Sequence, residues 1–356
     1  MGKVSCRLGI YNKRTARGDV LPKVKLSMRN VDKAVGITTT IPIEVVFAAG
    51  YRPLDLNNAF ITSPSAARMV EDAEAEGFPR NMCAWVKGIY TAVREVGVKR
   101  VVGVCQGDCS NTHALLEVLQ TEGVEVMRFD YPYDRKEGML GREMKKLAEG
   151  FGTTVEAGEE MRRRLEPLRV LAREIDELTW KENKVSGEEN HLYLINCSDM
   201  KGDYETYERE MREFVETAER RERWKPQIRL GYVGIPPICG GLYSFVEKLG
   251  AGVVFNEMQR QFSMPHAANS LLEQYLCYTY PYDVFFRMED IQREIRRRKI
   301  QGLIHYVQSF CFRQIQDRIL REMVEVPVLT LECDRPAELD ERSKTRLQAF
   351  VEMLNG

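Results

Sequence analysis

Short apolar runs rich in β-branched residues recur along this chain, and stretches with helical periodicity separate them. Residues 43–48, 100–104, 124–129, 228–234, 252–255, 302–307 and 326–331 read as strands. Most are bounded by Gly or Pro and lack polar alternation, the pattern of strands buried on both faces of a parallel sheet. Residues 65–76, 84–96, 113–121, 242–249, 288–298 and 313–323 read as helices. Strands alternating with helices imply an α/β protein built on doubly wound parallel sheets.

A chain of 356 residues is long for one such sheet and suggests two domains. The pattern divides it into a polar, basic leader over 1–35, an α/β unit over 36–150, a helical insertion over 151–225 and a second α/β unit over 226–356. In the insertion, Met161, Leu165, Leu168, Leu171, Ile175 and Leu178 form a narrow apolar stripe at helical spacing, within which Pro167 predicts a kink or a restart. The run 191–197 fits a strand or a helix. The Arg296–Lys299 basic run reads as the solvated end of a helix.

A weak repeat favours two similar halves. Arg100-Val-Val-Gly-Val-Cys-Gln106-Gly-Asp-Cys109 aligns with Leu303-Ile-His-Tyr-Val-Gln308-Ser-Phe-Cys311, each an apolar strand followed by Gln-x-x-Cys. Ile41-Pro-Ile43 aligns with Ile235-Pro-Pro237.

The net charge of -1 argues against a nucleic-acid partner, which would call for a basic excess. No apolar stretch reaches the roughly 20 residues needed to cross a bilayer, and the N-terminus has no signal-peptide core, so the expected location is the cytoplasm.

The nine cysteines carry the chemical signal, because a disulfide framework does not suit an odd number in a reducing compartment. In open α/β sheets ligands sit beyond the carboxyl ends of the strands. Cys105 and Cys109 follow the strand ending at Val104, Cys239 follows the strand ending near Gly234, and Cys311 follows the strand ending at Val307. Cys83 and Cys277 stand near expected helix starts, where the dipole and free N–H groups favour a thiolate. Thiolates select zinc, copper(I) or iron–sulfur clusters, but neither a Cys-x-x-Cys pair nor a ferredoxin run is present, and spacing alone leaves these open. Cys6, Cys197 and Cys333 read as packing residues.

Two further residues are candidates for proton transfer: Glu44, as a buried base near the crevice, and His113, close to the cysteine loop. For both, the commoner role is structural. No nucleotide phosphate loop, dinucleotide fingerprint or Gly-x-Ser-x-Gly elbow appears.

The ordered segments Thr38-Thr-Thr-Ile-Pro-Ile-Glu-Val-Val-Phe-Ala-Ala-Gly50, Asp55-Leu-Asn-Asn58, Gly77-Phe-Pro-Arg-Asn-Met-Cys83, Gln106-Gly-Asp-Cys-Ser-Asn111, Tyr131-Pro-Tyr-Asp134, Gly302-Leu-Ile through Phe310-Cys311 and Thr345-Arg-Leu-Gln-Ala-Phe-Val-Glu352 resemble the 2-hydroxyacyl-CoA dehydratase component family. That family includes benzoyl-CoA reductase subunits and double-cubane cluster proteins. The resemblance implies two flavodoxin-like domains, a helical insertion and an iron–sulfur cluster between the domains. It matches Cys83, Cys109 and Cys311 to the three thiolates of a 4Fe–4S cluster. Ser110 stands where many dehydratase subunits have Asp, and Cys105, Cys239 and Cys277 are extra thiols. Six thiols, three from each half, suit an 8Fe–9S double cubane, and the sequence reading leans to that branch. The leading expectation is an oxidoreductase acting on a small unsaturated substrate, fed by a separate ATP-hydrolysing activator with its own 4Fe–4S cluster. The first alternative is a 4Fe–4S dehydratase subunit that eliminates hydroxide from a 2-hydroxyacyl-CoA through a ketyl radical. The second is a cluster-carrying electron-transfer or assembly protein, and a zinc-stabilised or metal-free binding protein is the remaining reading. The resemblance also implies a dimer, here a homodimer.

Overall fold

The computed structural model describes residues 33–356, so Cys6 and nearly all of the leader lie outside the described residues. The strands are β1 (Ala34–Ile37), β2 (Arg52–Asp55), β3 (Arg100–Val104), β4 (Glu125–Phe129), β5 (Ile228–Gly234), β6 (Ala251–Asn256), β7 (Gly302–Val307) and β8 (Val328–Glu332). They form two four-stranded sheets, ordered β2-β1-β3-β4 and β6-β5-β7-β8, and every pairing is parallel. The second order is the first shifted by four strands. The repeated Gln-x-x-Cys segments thus follow topologically equivalent strands, β3 and β7, and the two Ile-Pro segments follow β1 and β5. This is the expected α/β class with two doubly wound parallel sheets.

The helices of the first half are α1 (Ile43–Ala48), α2 (Leu56–Ile61), α3 (Ala66–Ala75), α4 (Ala84–Val96), α5 (Ser110–Thr121) and α6 (Glu137–Gly150). Between the sheets run α7 (Val155–Trp180), α8 (Gly187–Ile195) and α9 (Tyr204–Glu219). The second half adds α10 (Leu242–Lys248), α11 (Glu257–Phe262), α12 (Leu271–Leu276), α13 (Val284–Arg298), α14 (Phe312–Met323) and α15 (Glu341–Asn355). Among the described residues, no helix is long and apolar enough to cross a membrane.

Three expectations are corrected. Residues 43–48 form α1 and not a strand. A fully buried apolar run looks the same in either state, and here Ile43 to Phe47 are all buried while Pro42 occupies the cap position. The strands flanking it were hidden: β1 has four residues, and β2 carries Pro53, which an edge strand tolerates because one side needs no N–H donor. Pro167 does not restart the helix, for α7 runs unbroken through it. Pro167 and Arg163 both face solvent, where water can serve the carbonyl that Pro167 leaves unbonded. Arg298 is not a solvated helix end. Its fully buried guanidinium donates to Asp176 (Nη1 to Oδ1, 2.8 Å) and Glu294 (Nε to Oε2, 2.6 Å), tying α7 to α13.

The run 191–197 resolves as α8, opened by a capping box between Ser186 and Glu189, and a following 3-10 turn. The apolar stripe of α7 packs with Val35, Ile37 and Val102 in one core. A second core joins Trp85, Ile89 and Leu116 of the first half to Leu230 and Tyr306 of the second. The two sheets therefore share buried apolar surface, and their carboxyl ends face a common cleft.

Candidate functional site

The cleft holds about 780 Å³ of space, part of it open to solvent. Its walls come from the segments that follow the strands of both sheets. Thr38 and Thr39 follow β1, Asp55 ends β2 with Asn58 in the helix after it, Asp108 and Cys109 follow β3, Pro236 follows β5, and Cys311 follows β7. Trp85, Val86, Ile89, Met258 and Phe262 make an apolar wall.

Three thiols line this cleft: Cys83, Cys109 and Cys311. Each is the residue immediately before a helix: Cys83 caps α4, Cys109 caps α5 and Cys311 caps α14. Backbone N–H groups of Trp85 and Val86 point at the Cys83 sulfur, and those of Asn111 and Thr112 at the Cys109 sulfur. These donors and the helix dipoles favour a thiolate. Burial opposes them and wins, pushing the Cys83 thiol up to about 12 and the Cys109 thiol up as well. Among the described residues, no three His, Cys, Asp or Glu side chains stand close enough to hold a single metal ion. The three thiols are thus spread around the cleft and do not converge on one point.

The halves are joined at the thiols. The Cys83 thiol donates to Gln308 Oε1 (3.0 Å), and Ala84 N–H donates to the same oxygen (3.1 Å). Gln308 is fully buried, and its carbonyl accepts the Cys311 N–H (3.1 Å). One glutamine therefore sets two of the three cysteines. Asp108 accepts Cys109 N–H (2.8 Å) and the Thr112 hydroxyl (2.9 Å), and desolvation raises its carboxyl above the usual range. Arg313, also buried, stacks 3.9 Å over the Tyr280 ring beside Cys311 and brings positive charge to this side.

Asp55 lines the cleft and is coupled to a second buried carboxyl, Asp199, which does not line it. Asp55 caps α2, and its N–H donates to Asp199 Oδ2 (2.8 Å). Desolvation raises both, and with Asp55 nearby Asp199 is pushed up to about 7. Thr38, Asp55, Asn57 and Asn58 were not singled out as site residues from the sequence. They lie at the carboxyl ends of β1 and β2, the two strands that periodicity missed, so periodicity did not place them at a sheet end.

The structure does not gather the other candidates here. Cys105 directly follows β3, its N–H bonded to the Phe129 carbonyl (3.1 Å), and its sulfur lies near Asp130 and Arg128 outside the cleft lining. Cys277 stands at the C-terminal end of α12, not at a helix start, so no dipole favours its thiolate; desolvation and then Glu273 raise its thiol. Cys239 is buried in the second core against Cys333. The six thiols of the double-cubane expectation thus fall into a cleft trio and three separate positions. Glu44 is fully buried but does not line the cleft: it pairs with Arg169 and accepts from Gln274 Nε2 (2.8 Å) and the Tyr275 hydroxyl (2.8 Å). His113 projects from the first turns of α5 into solvent.

Residues 38–354 match the family model described as 2-hydroxyglutaryl-CoA dehydratase, D-component. No curated protein matches the chain.

Proposed function

The chain belongs to the 2-hydroxyglutaryl-CoA dehydratase D-component family, and from that premise we propose that it is the 4Fe–4S subunit of a 2-hydroxyacyl-CoA dehydratase. The observation that carries this reading is the trio Cys83, Cys109 and Cys311, each at a helix start and all on one interdomain cleft. The donor set fits such a cluster. Soft thiolates are the ligands of iron–sulfur centres, and three spread thiols leave one corner of a cubane for substrate or water. The burial that keeps the Cys83 and Cys109 thiols protonated is what a cationic occupant offsets, while the N–H groups already aimed at these sulfurs remain as hydrogen-bond donors that tune the bound group. A bound cluster would supply electrons at low potential and a Lewis-acidic iron.

The chain's own residues do the rest. Gln308 holds Cys83 and Cys311 at fixed separation across the halves. The wall of Trp85, Val86, Ile89, Met258 and Phe262 excludes water from the acyl chain. Thr38, Asn57 and Asn58 offer hydroxyl and amide groups to the polar carbons of the substrate, and Asp55 holds a proton on its carboxyl more readily than an exposed aspartate. The chain shows no nucleotide phosphate loop, which fits a component that receives electrons from a separate ATP-hydrolysing activator. The double-cubane reductase has weaker support, because Cys105, Cys239 and Cys277 stand away from the trio.

Iron and acid-labile sulfide on anaerobically purified protein test the reading. About four of each per chain is expected, falling sharply in Cys83→Ser, Cys109→Ser and Cys311→Ser but not in Cys105→Ser or Cys277→Ser. About eight iron and nine sulfide, with loss in the latter two variants, would overturn it.

A further inference from the structure

Two thiols beyond the carboxyl ends of β5 and β8 in the second sheet do not line the cleft. Cys239 lies in the loop after β5, and Cys333 follows β8 directly. Strand β7 runs between them, and its Tyr306 bridges the two segments: the hydroxyl accepts Ile238 N–H (3.2 Å) and donates to the Cys333 carbonyl (2.7 Å). Beyond the cysteines the same segments pair again, with Gly240 N–H on the Ala337 carbonyl (2.8 Å) and Leu339 N–H on the Gly240 carbonyl (3.0 Å). The backbone is thus clamped on both sides of the pair, each cysteine is close enough to shift the other's thiol, and the Cys333 thiol donates to the Arg335 carbonyl (3.8 Å). Both are free, Cys239 buried and Cys333 partly exposed.

We propose that Cys239 and Cys333 form a reversible dithiol–disulfide couple, a modification site for hydroperoxides on the second domain. Cys333 is partly exposed while Cys239 is buried, so Cys333 meets the peroxide first, and the neighbouring Cys239 lowers its thiol. Its thiolate attacks one peroxide oxygen and breaks the O–O bond, giving a sulfenic acid on Cys333 and hydroxide. The Cys239 sulfur then attacks the Cys333 sulfur and expels the sulfenic oxygen as water, taking up the proton that Cys239 loses. Two thiols lose two electrons and two protons, and hydrogen peroxide takes both to become two waters. A disulfide needs the two backbones within a few ångströms, and the Tyr306 bridge and the Gly240 pairing hold the two segments together on either side of the cysteines. The staple would fix the loop that carries Ile235 and Pro236, both of which line the cleft. The inference does not depend on what the cleft binds.

The test treats the anaerobically purified full chain with near-stoichiometric hydrogen peroxide, blocks remaining thiols and maps peptides by mass spectrometry. A Cys239–Cys333 cross-link that dithiothreitol reverses is expected. Cys239→Ser should leave a Cys333 sulfenic acid that dimedone captures, with iron content unchanged. The Cys83→Ser/Cys109→Ser/Cys311→Ser chain should form the same cross-link, which rules out thiols released from the cleft as its source. Absence of the cross-link in both chains, or loss of iron in Cys239→Ser, would overturn the proposal. Iron loss in the cleft variants concerns the proposed function alone.

Discussion

Glu44 offers a test that separates a structural carboxylate from a catalytic one. Its side chain is fully buried and Arg169 is 1% exposed, so removing Glu44 strands a guanidinium in the core of the first half. Arg169 would keep only the Ser263 carbonyl at 3.4 Å, and its Nε already lacks a partner. Gln274 would lose an acceptor, while the Tyr275 hydroxyl would retain the Ile41 carbonyl at 2.7 Å. Breaking a buried pair by deleting one partner costs about 3–5 kcal/mol. Glu44→Leu should cost that much, and at roughly 2–4 °C per kcal/mol the melting temperature should fall by about 10 °C. Replacing both partners by apolar residues removes the stranded charge, so Glu44→Leu/Arg169→Met should recover most of the loss. Thermal unfolding followed by circular dichroism on the four members of this cycle reads the coupling. A single variant within about 1 kcal/mol of the parent would refute the reasoning, as would a double variant no more stable than the single. A Glu44 variant that melts normally but loses turnover would restore this residue as a base.

Three further outcomes follow from the geometry. The unfolded Cys83 thiol sheds its proton near pH 9 while the folded one holds it up to about 12, so the metal-free protein should lose stability as pH rises through that window, and Cys83→Ala should flatten the dependence in urea titrations. Gly88→Ala would put a methyl 2.3 Å from the Phe60 ring, which packs edge-on against Trp85; a loss of about 1–3 kcal/mol in urea unfolding is expected. Ser186→Ala removes half of the capping box of α8 and should cost about 1 kcal/mol, measured the same way.

Much of this architecture was legible because several elements announce themselves locally. Residues 84–96 coincide with α4, and the strands at 100–104, 228–234 and 302–307 coincide with β3, β5 and β7. Those strands fix the crevice, and with it the neighbourhood of Cys109 and Cys311. The first two strands were illegible for a physical reason. Ala-Val-Gly-Ile is too short to show a period, and a proline on an edge strand erases the signal that periodicity needs. The apolar run of α1 then attracted the strand assignment. Arg298 shows the converse limit. A terminal arginine in a basic run looks solvated until the fold supplies Asp176 from a helix more than a hundred positions away. Cys239 and Cys333 are of the same kind, because two strand ends separated by a third come together only through sheet order.

The division of the cleft thiols between the halves bears on how the molecule is made. Cys83 and Cys109 belong to the segment that leaves the ribosome first, and both already sit on a complete sheet when β4 has formed. Cys311 arrives only after the helical connection and most of the second sheet have been synthesised. An occupant delivered early would be gripped by two sulfurs on an open face, and the third would close over it as the second half docks. An occupant delivered late would enter by the open side of the cleft, with the Gln308 bridge already joining the halves. The order of filling and docking would then decide whether an occupant meets two sulfurs first or all three together.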